Sequence, residues 1–391
     1  GDDITLKYLT DTGSKGDASP VGLYDGTGTS GAPNQAEMVF KRAFSTITLF
    51  EAMVDDASPD YWGSSDDVVG ELHADSNFTD ATVNFDNKQS LSSVTLSVYE
   101  DDRHDGTAES GALWKPTANS GHNVGILRIN IDNMTAEWLD ISLDSLDSRN
   151  TNRAITFVGT NDDNIIRNNL LHDKGGNPGS TGPTAMQALA AGGTSDTISV
   201  INNIIYNWVE TSNDHTVGIN FNQWQGTVNI YGNTLYNLQS NGGSKYAYGI
   251  LFANNSNNTT NIKNNIVAQL SGSQERAYYK NNASSTVNSA NNLSDDTADA
   301  AYDAEDMNQS LNDSTALTGK TLAEIDFVST GAGSEDLHLD VDSICIGAGV
   351  DLGTTNGVNI DIDGETMSGN WSIGADWVSA GGSESFLIFV D

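Results

Sequence analysis

Glu210, Asp214 and His215 form the densest local set of side chains able to move protons. A glycoside hydrolase needs two carboxyl groups about 5–10 Å apart, one acting as acid and one as base or nucleophile. Glu210 and Asp214 lie between the runs that carry Trp208 and Val217, and Asp162 with Asp163 occupies an analogous turn. A second set is Arg167 and His172, with Asp173 and Lys174 beside the histidine. Such a mixture of base, cation and carboxylate could perform β-elimination on an acidic polysaccharide, with Ca²⁺ neutralising the substrate carboxylate. Carboxylates are abundant in this chain, so two close in sequence are also expected by chance, as parts of solvated loops.

Metal-binding patterns are sparse. The stretch Asp361-Ile362-Asp363-Gly364-Glu365 has the start of a calcium loop, which makes Asp361 and Asp363 the candidate Ca²⁺ ligands. A full loop needs further oxygen ligands at fixed offsets, and Met367 and Ser368 break that pattern. The competing expectation is a tight turn with Gly364 at positive φ. The six histidines are scattered and Cys345 stands alone in an apolar run, so no zinc motif is legible and Cys345 reads as a core residue.

Aromatic residues gather on neighbouring segments, among them Trp208, Trp224 and Tyr231. Exposed aromatics stacked along a scaffold make sugar-binding platforms, and buried ones make core. Trp224, flanked by Asn222, Gln223 and Gln225, is the member expected at the surface.

The elements that would position these groups follow from a repeat. Short β-prone runs are followed by Asn-Asn pairs, or by Gly232-Asn233 in one copy, whose second residues are Asn169, Asn203, Asn233, Asn265 and Asn292, at spacings of 34, 30, 32 and 27 residues. A weaker copy places Asp140 29 residues before Asn169. The runs hold four to six residues rich in Ile, Val, Phe and Tyr, with no helical pattern between them. Three such strands per coil predict an all-β, right-handed parallel β-helix with coils of about 30 residues. Stacked coils put equivalent positions about 4.8 Å apart. The five asparagines then form a structural amide ladder, with no chemistry required of them. On the same alignment Arg167 corresponds to Ile201, Tyr231, Lys263 and Ala290, so no acidic pair recurs beside it.

Three regions follow. Residues 1–123 are an N-terminal cap and first irregular coils, with a helix over 36–53 and strands near Val68–Leu72, Ala81–Phe85 and Val94–Tyr99. Residues 124–296 are the regular coils, and 297–391 a closing segment. In that segment, Asp342-Ser343-Ile344-Cys345-Ile346-Gly347-Ala348-Gly349, Asp361-Ile362-Asp363-Gly364 and Trp371-Ser372-Ile373-Gly374-Ala375-Asp376 resemble the terminal signature of parallel β-helix proteins of the choice-of-anchor Q type. Met367 stands near the family's Arg, and Trp377 stands where the family has Glu. The N-terminal stretches Tyr8–Gly13, Phe44–Phe50 and Arg103-His104-Asp105-Gly106 resemble β-helix proteins of tailed phages and marine bacteria. The resemblance implies a fold rather than an activity, because this scaffold hosts lyases, hydrolases, adhesins and virion proteins.

Charge narrows the partners. Seventeen Lys and Arg face 53 Asp and Glu, a formal charge of −36. Such a surface repels nucleic acid and anionic lipid, and no apolar run reaches the ~18 residues of a membrane span. The expected role is a structural or attachment protein of a virion or cell surface, extracellular and with glycan as a partner. A polysaccharide depolymerase is the alternative. The apolar segment Ser385–Val390 suggests a homo-oligomer, with a trimer favoured, or another surface protein as partner.

Overall fold

A computed structural model describes residues 44–55, 66–89, 91–118, 125–144, 153–159, 162–174, 183–189, 193–211, 214–221, 223–241, 245–252, 258–280, 286–295 and 314–379. The chain is an all-β parallel solenoid of about 6 turns. Among the described residues, three parallel sheets of 8, 7 and 7 strands run along it, together with one two-stranded antiparallel hairpin. One coil consists of Thr184–Ala188, Thr197–Ile201 and Ile204–Glu210, after which Thr216–Phe221 opens the next.

Alternation in each strand sends every second side chain inward, and stacking turns those positions into columns. Ile166, Val200, Ile230 and Ile262 stand in register on successive coils. All four are wholly buried. Burial of each such side chain contributes roughly 2 kcal/mol, which is why the repeat keeps β-branched residues while its turns vary in length.

The amide ladder forms as the repeat requires. Asn169 donates from Nδ2 to Oδ1 of Asn203 at 2.9 Å, Asn203 to Asn233 at 2.9 Å, Asn233 to Asn265 at 2.9 Å and Asn265 to Asn292 at 2.9 Å. Each Oδ1 also accepts the backbone N–H of the preceding asparagine, as in Asn169 N–H to Asn203 at 3.0 Å. The remaining Nδ2 proton reaches a main-chain carbonyl, such as that of Ile166 from Asn203 at 3.0 Å. The ladder therefore satisfies buried amides that would otherwise be costly. The early copy is shifted by one residue. Asp140 pairs with Leu170 rather than Asn169, and Leu139 N–H donates to Asn169 Oδ1 at 3.0 Å.

The first coils continue the same sheets, with Val94 opposite Met134 and Val83 opposite Leu127. The N-terminal helix is shorter and later than expected, Ile47–Asp55, with Ile47, Phe50, Met53 and Val54 buried; residues 36–43 lie outside the described residues. Phe50 packs edge-on against Phe85 at 6.1 Å.

The segment after the last coil does more than close an end. A helical turn, Leu322–Ile325, has a Thr321/Glu324 capping box and leads into the hairpin Phe327–Gly331 and Ser334–Leu339. The chain then runs back along the stack as a strap over residues 340–376. The first asparagine of each Asn-Asn pair holds it. Asn291 donates to the Ala348 carbonyl at 2.8 Å, Asn264 to Val350 at 2.8 Å, Asn202 to Val358 at 3.1 Å, and Asn168 to the carbonyls of Ile360 and Asp361. Beneath the strap, Cys345, Ile362, Ile373 and Ala375 pack on the outward faces of Leu170, Ile204 and Ile266. The second sheet is thus buried on both faces, as its continuous apolar runs anticipate. Burial pushes the Cys345 thiol up to about 12, consistent with an inert core residue.

Candidate functional site

The outer edge of the second sheet carries a groove of about 540 Å³. Its floor is His172 and Tyr206, its walls the turn around Thr107–Glu109 and the hairpin residues Ser329–Asp336. His172 and Tyr206 are register partners on adjacent coils, with rings stacked at 5.3 Å and 7°. Parallel pairing alone produces this stack, because equivalent positions must lie one above another.

His172 is held from both sides. Nε2 meets Asp140 Oδ1 at 2.7 Å and Nδ1 meets Asp173 Oδ2 at 2.8 Å. Burial disfavours the charged ring, but the two carboxylate hydrogen bonds outweigh it and raise its pKa to about 9. With carboxylates at both nitrogens, the doubly protonated ring can donate to each. Asp140 is itself wholly buried and accepts the Glu109 N–H at 2.7 Å. Asp173 accepts from Asn207 at 2.9 Å, and Asn207 also donates to Glu335 at 2.9 Å. The groove rim carries Glu109, Asp173, Glu335 and Asp336. Its charge is unfavourable to a polyanion and compatible with hydroxyl-rich or cationic groups.

Of the residues singled out in sequence, His172 and Asp173 lie in this groove and the others do not. Arg167 forms a double contact with Glu137, Nη2 at 2.6 Å and Nε at 2.7 Å to the same oxygen. It also donates to the Asn356 carbonyl of the strap at 2.9 Å. Its guanidinium is a tie between coil and strap. Glu210 is buried at the end of its strand, opposite Ser240. Asp214 accepts the His215 N–H at 2.7 Å, and His215 Nδ1 accepts the Tyr246 N–H at 2.9 Å. The His215 ring also packs beside Tyr246 at 5.2 Å. Burial lowers the His215 pKa.

The aromatic platform requires correction. Trp208 and Trp224 are both wholly buried, and Trp224 meets Phe221 edge-on at 6.4 Å inside the core. Gln223 is exposed and Gln225 half-buried on the turn, while the indole is its inward member. Tyr231 is half-buried among Ile201, Met367 and Trp371 under the strap.

Asp361 is a turn-former. Its Oδ1 accepts the N–H groups of Asp363 at 3.1 Å and Glu365 at 2.7 Å, and Gly364 has φ of +83°. Asp363 faces away from that turn, onto His338 Nε2 at 3.0 Å. His338 Nδ1 meets Asp336 on the groove rim at 2.5 Å. This second carboxylate–histidine–carboxylate bridge has no signal in sequence, because His338 and Asp363 are 25 residues apart and come from hairpin and strap. Burial raises Asp361 to about 7 and Asp376 to about 6. No family model and no curated protein matches this chain.

Proposed function

We propose that the chain is a structural or attachment protein of a virion or cell surface, displaying its acidic groove to a neutral or amino-bearing glycan. The observation that carries this reading is the groove itself: carboxylates on the rim, the hydroxyls of Thr107, Ser329 and Ser334, and a floor fixed by internal bonds. Carboxylates can accept pairs of sugar hydroxyls, and a floor that needs no rearrangement lowers the entropic cost of binding. The amide ladder supports a rod-like display role by tying successive coils together. An extracellular or virion location and a homotrimer belong to the same proposal. The segment that suggests the trimer, Ser385–Val390, lies outside the described residues.

The depolymerase alternative has one observation in its favour, the Asp140–His172 pair on the groove floor. The deciding experiment combines a glycan array with a reducing-end assay on neutral and acidic polysaccharides. Retention of a neutral or amino glycan without new reducing ends, lost in Glu335→Gln, supports attachment. New reducing ends that vanish in Asp173→Asn support the depolymerase and overturn the attachment reading.

A further inference from the structure

Where strap meets hairpin, His338, Asp363 and Asp376 present ligand atoms that all lie within 4.8 Å of one another. We infer that this cluster is a binding site for a divalent transition metal, zinc above all, at the margin of the groove.

Three features besides the clustering point there. The first is the wiring of the histidine. Nε2 faces Asp363 at 3.0 Å, while Nδ1 is engaged by Asp336. A metal-bound imidazole characteristically donates its other N–H to a carboxylate, which fixes the tautomer and strengthens the ligand nitrogen. The second is an orphaned atom. Asp361 is wholly buried, and its Oδ2 has no hydrogen-bond partner among the described residues. Its Oδ1 accepts the N–H of Asp363 at 3.1 Å, which puts its carboxylate in the same turn as that ligand. Asp376 is nearly as buried, and its Oδ2 accepts the Leu339 N–H at 2.7 Å. Buried carboxylates call for a cation, and among the described residues no lysine or arginine pairs with either. The third is a close approach. Gly106 has φ of +82°, and a Cβ there would collide with His338 Nε2 and stand 3.5 Å from Asp363 Oδ1, so a glycine at this position lets the ring reach Asp363.

The donor set selects the metal. An imidazole with carboxylates suits Zn²⁺, whereas Ca²⁺ takes oxygen ligands alone. In sequence Asp361 and Asp363 are Ca²⁺ candidates set against a tight turn at Gly364; the fold gives Asp363 a histidine partner. On binding, the metal takes the Nε2 lone pair as the Nε2 proton leaves to water, and the Nδ1 proton stays on the bond to Asp336. With three protein ligands a further position remains for water.

This inference stands whether or not the groove binds glycan. It is tested by titrating ZnCl₂ and CaCl₂ separately into the metal-stripped full chain, followed by calorimetry in two buffers of different ionisation enthalpy. One Zn²⁺ per chain, with proton release and no comparable Ca²⁺ binding, is expected. Asp336→Asn should weaken Zn²⁺ about 10–100-fold, and His338→Gln should abolish the stoichiometric site. Zinc-edge X-ray absorption on the wild-type chain keeps the test open if the variants misfold, with one imidazole and an oxygen shell expected. Zn²⁺ binding unchanged in His338→Gln, an absorption spectrum without imidazole, or Ca²⁺ binding as tight as Zn²⁺ would overturn the assignment.

Discussion

Asn202 and Asn203 are neighbours in sequence whose side chains hold different things together. Asn203 donates up the interior ladder to Asn233 at 2.9 Å, while Asn202 donates outward to the strap carbonyls of Val358 at 3.1 Å and Ile360 at 2.6 Å. The division follows from the backbone. Asn202 has φ of +51°, a left-handed conformation that asparagine tolerates, and it turns the chain so that consecutive side chains diverge. Asn168, Asn264 and Asn291 repeat that conformation, and Gly232 takes their place on one coil. The Asn-Asn pair thus encodes both coil stacking and strap docking.

Substitution should separate the two roles. Asn203→Ala leaves the buried Asn169 N–H without its acceptor and removes three donations, so a loss of about 3 kcal/mol is expected. Asn202→Gly keeps the left-handed turn and loses only the strap bonds. It should cost about 1 kcal/mol globally, yet raise hydrogen exchange across residues 340–376. Urea unfolding with hydrogen-exchange mass spectrometry checks both, and equal exchange of the strap in the two variants would contradict the division.

Trp224 offers a second test, because surface and core roles predict opposite outcomes. With its indole wholly buried, Trp224→Ala should cost about 3–5 kcal/mol by opening a cavity. A surface sugar platform would lose binding with stability intact. Thermal unfolding alongside glycan retention distinguishes the two.

The difference between the ladder and Trp224 shows what sequence can carry. Ladder positions repeat, so stacking physics assigns them all at once, and the coil register of Arg167 against Ile201, Tyr231 and Lys263 follows the same rule. Trp224 sits in a turn, where one dihedral decides whether a side chain faces in or out, and neighbouring polarity is a poor guide. The groove is half legible. His172 and Asp173 are adjacent in sequence, but Asp140 lies 32 residues earlier and Glu335 enters on the hairpin. No local pattern announces that the closing segment doubles back along the coils. The first asparagine of each pair, idle in the ladder, is the signal that could have revealed it.

Arg167 should behave as a structural tie. Arg167→Leu strands the nearly buried Glu137, which among the described residues retains only Ser97 Oγ at 2.9 Å. The guanidinium is partly exposed, so the expected cost is about 2 kcal/mol, below the roughly 3–5 kcal/mol of a fully buried pair. Gly357 is coupled to it, because a Cβ there would collide with Arg167 Nη1. Gly357→Ala should therefore destabilise the wild type more than it destabilises Arg167→Leu. Additive costs in a double-mutant cycle would argue against the contact.

His172 sets a pH dependence that can be isolated. Its folded pKa of about 9 lies above the ordinary 6.5, because the bonds to Asp140 and Asp173 outweigh burial. The folded state therefore binds a proton more tightly than the unfolded chain. The resulting stabilisation is complete below pH 6.5 and is lost as pH rises through 9. Each tenfold gain in proton affinity is worth about 1.4 kcal/mol, so the loss is about 3 kcal/mol for this nearly inaccessible ring. His338 titrates in the same direction, with its pKa raised to about 10, so the wild-type curve contains both. His172→Gln keeps an N–H donor but carries no charge and cannot take up the proton. It should be less stable than wild type at pH 6 by a few kcal/mol, and the gap should narrow by pH 10. Denaturant unfolding at the two pH values measures the gap. A difference between wild type and His172→Gln that stays constant from pH 6 to pH 10 would mean that the bridge does not hold an imidazolium.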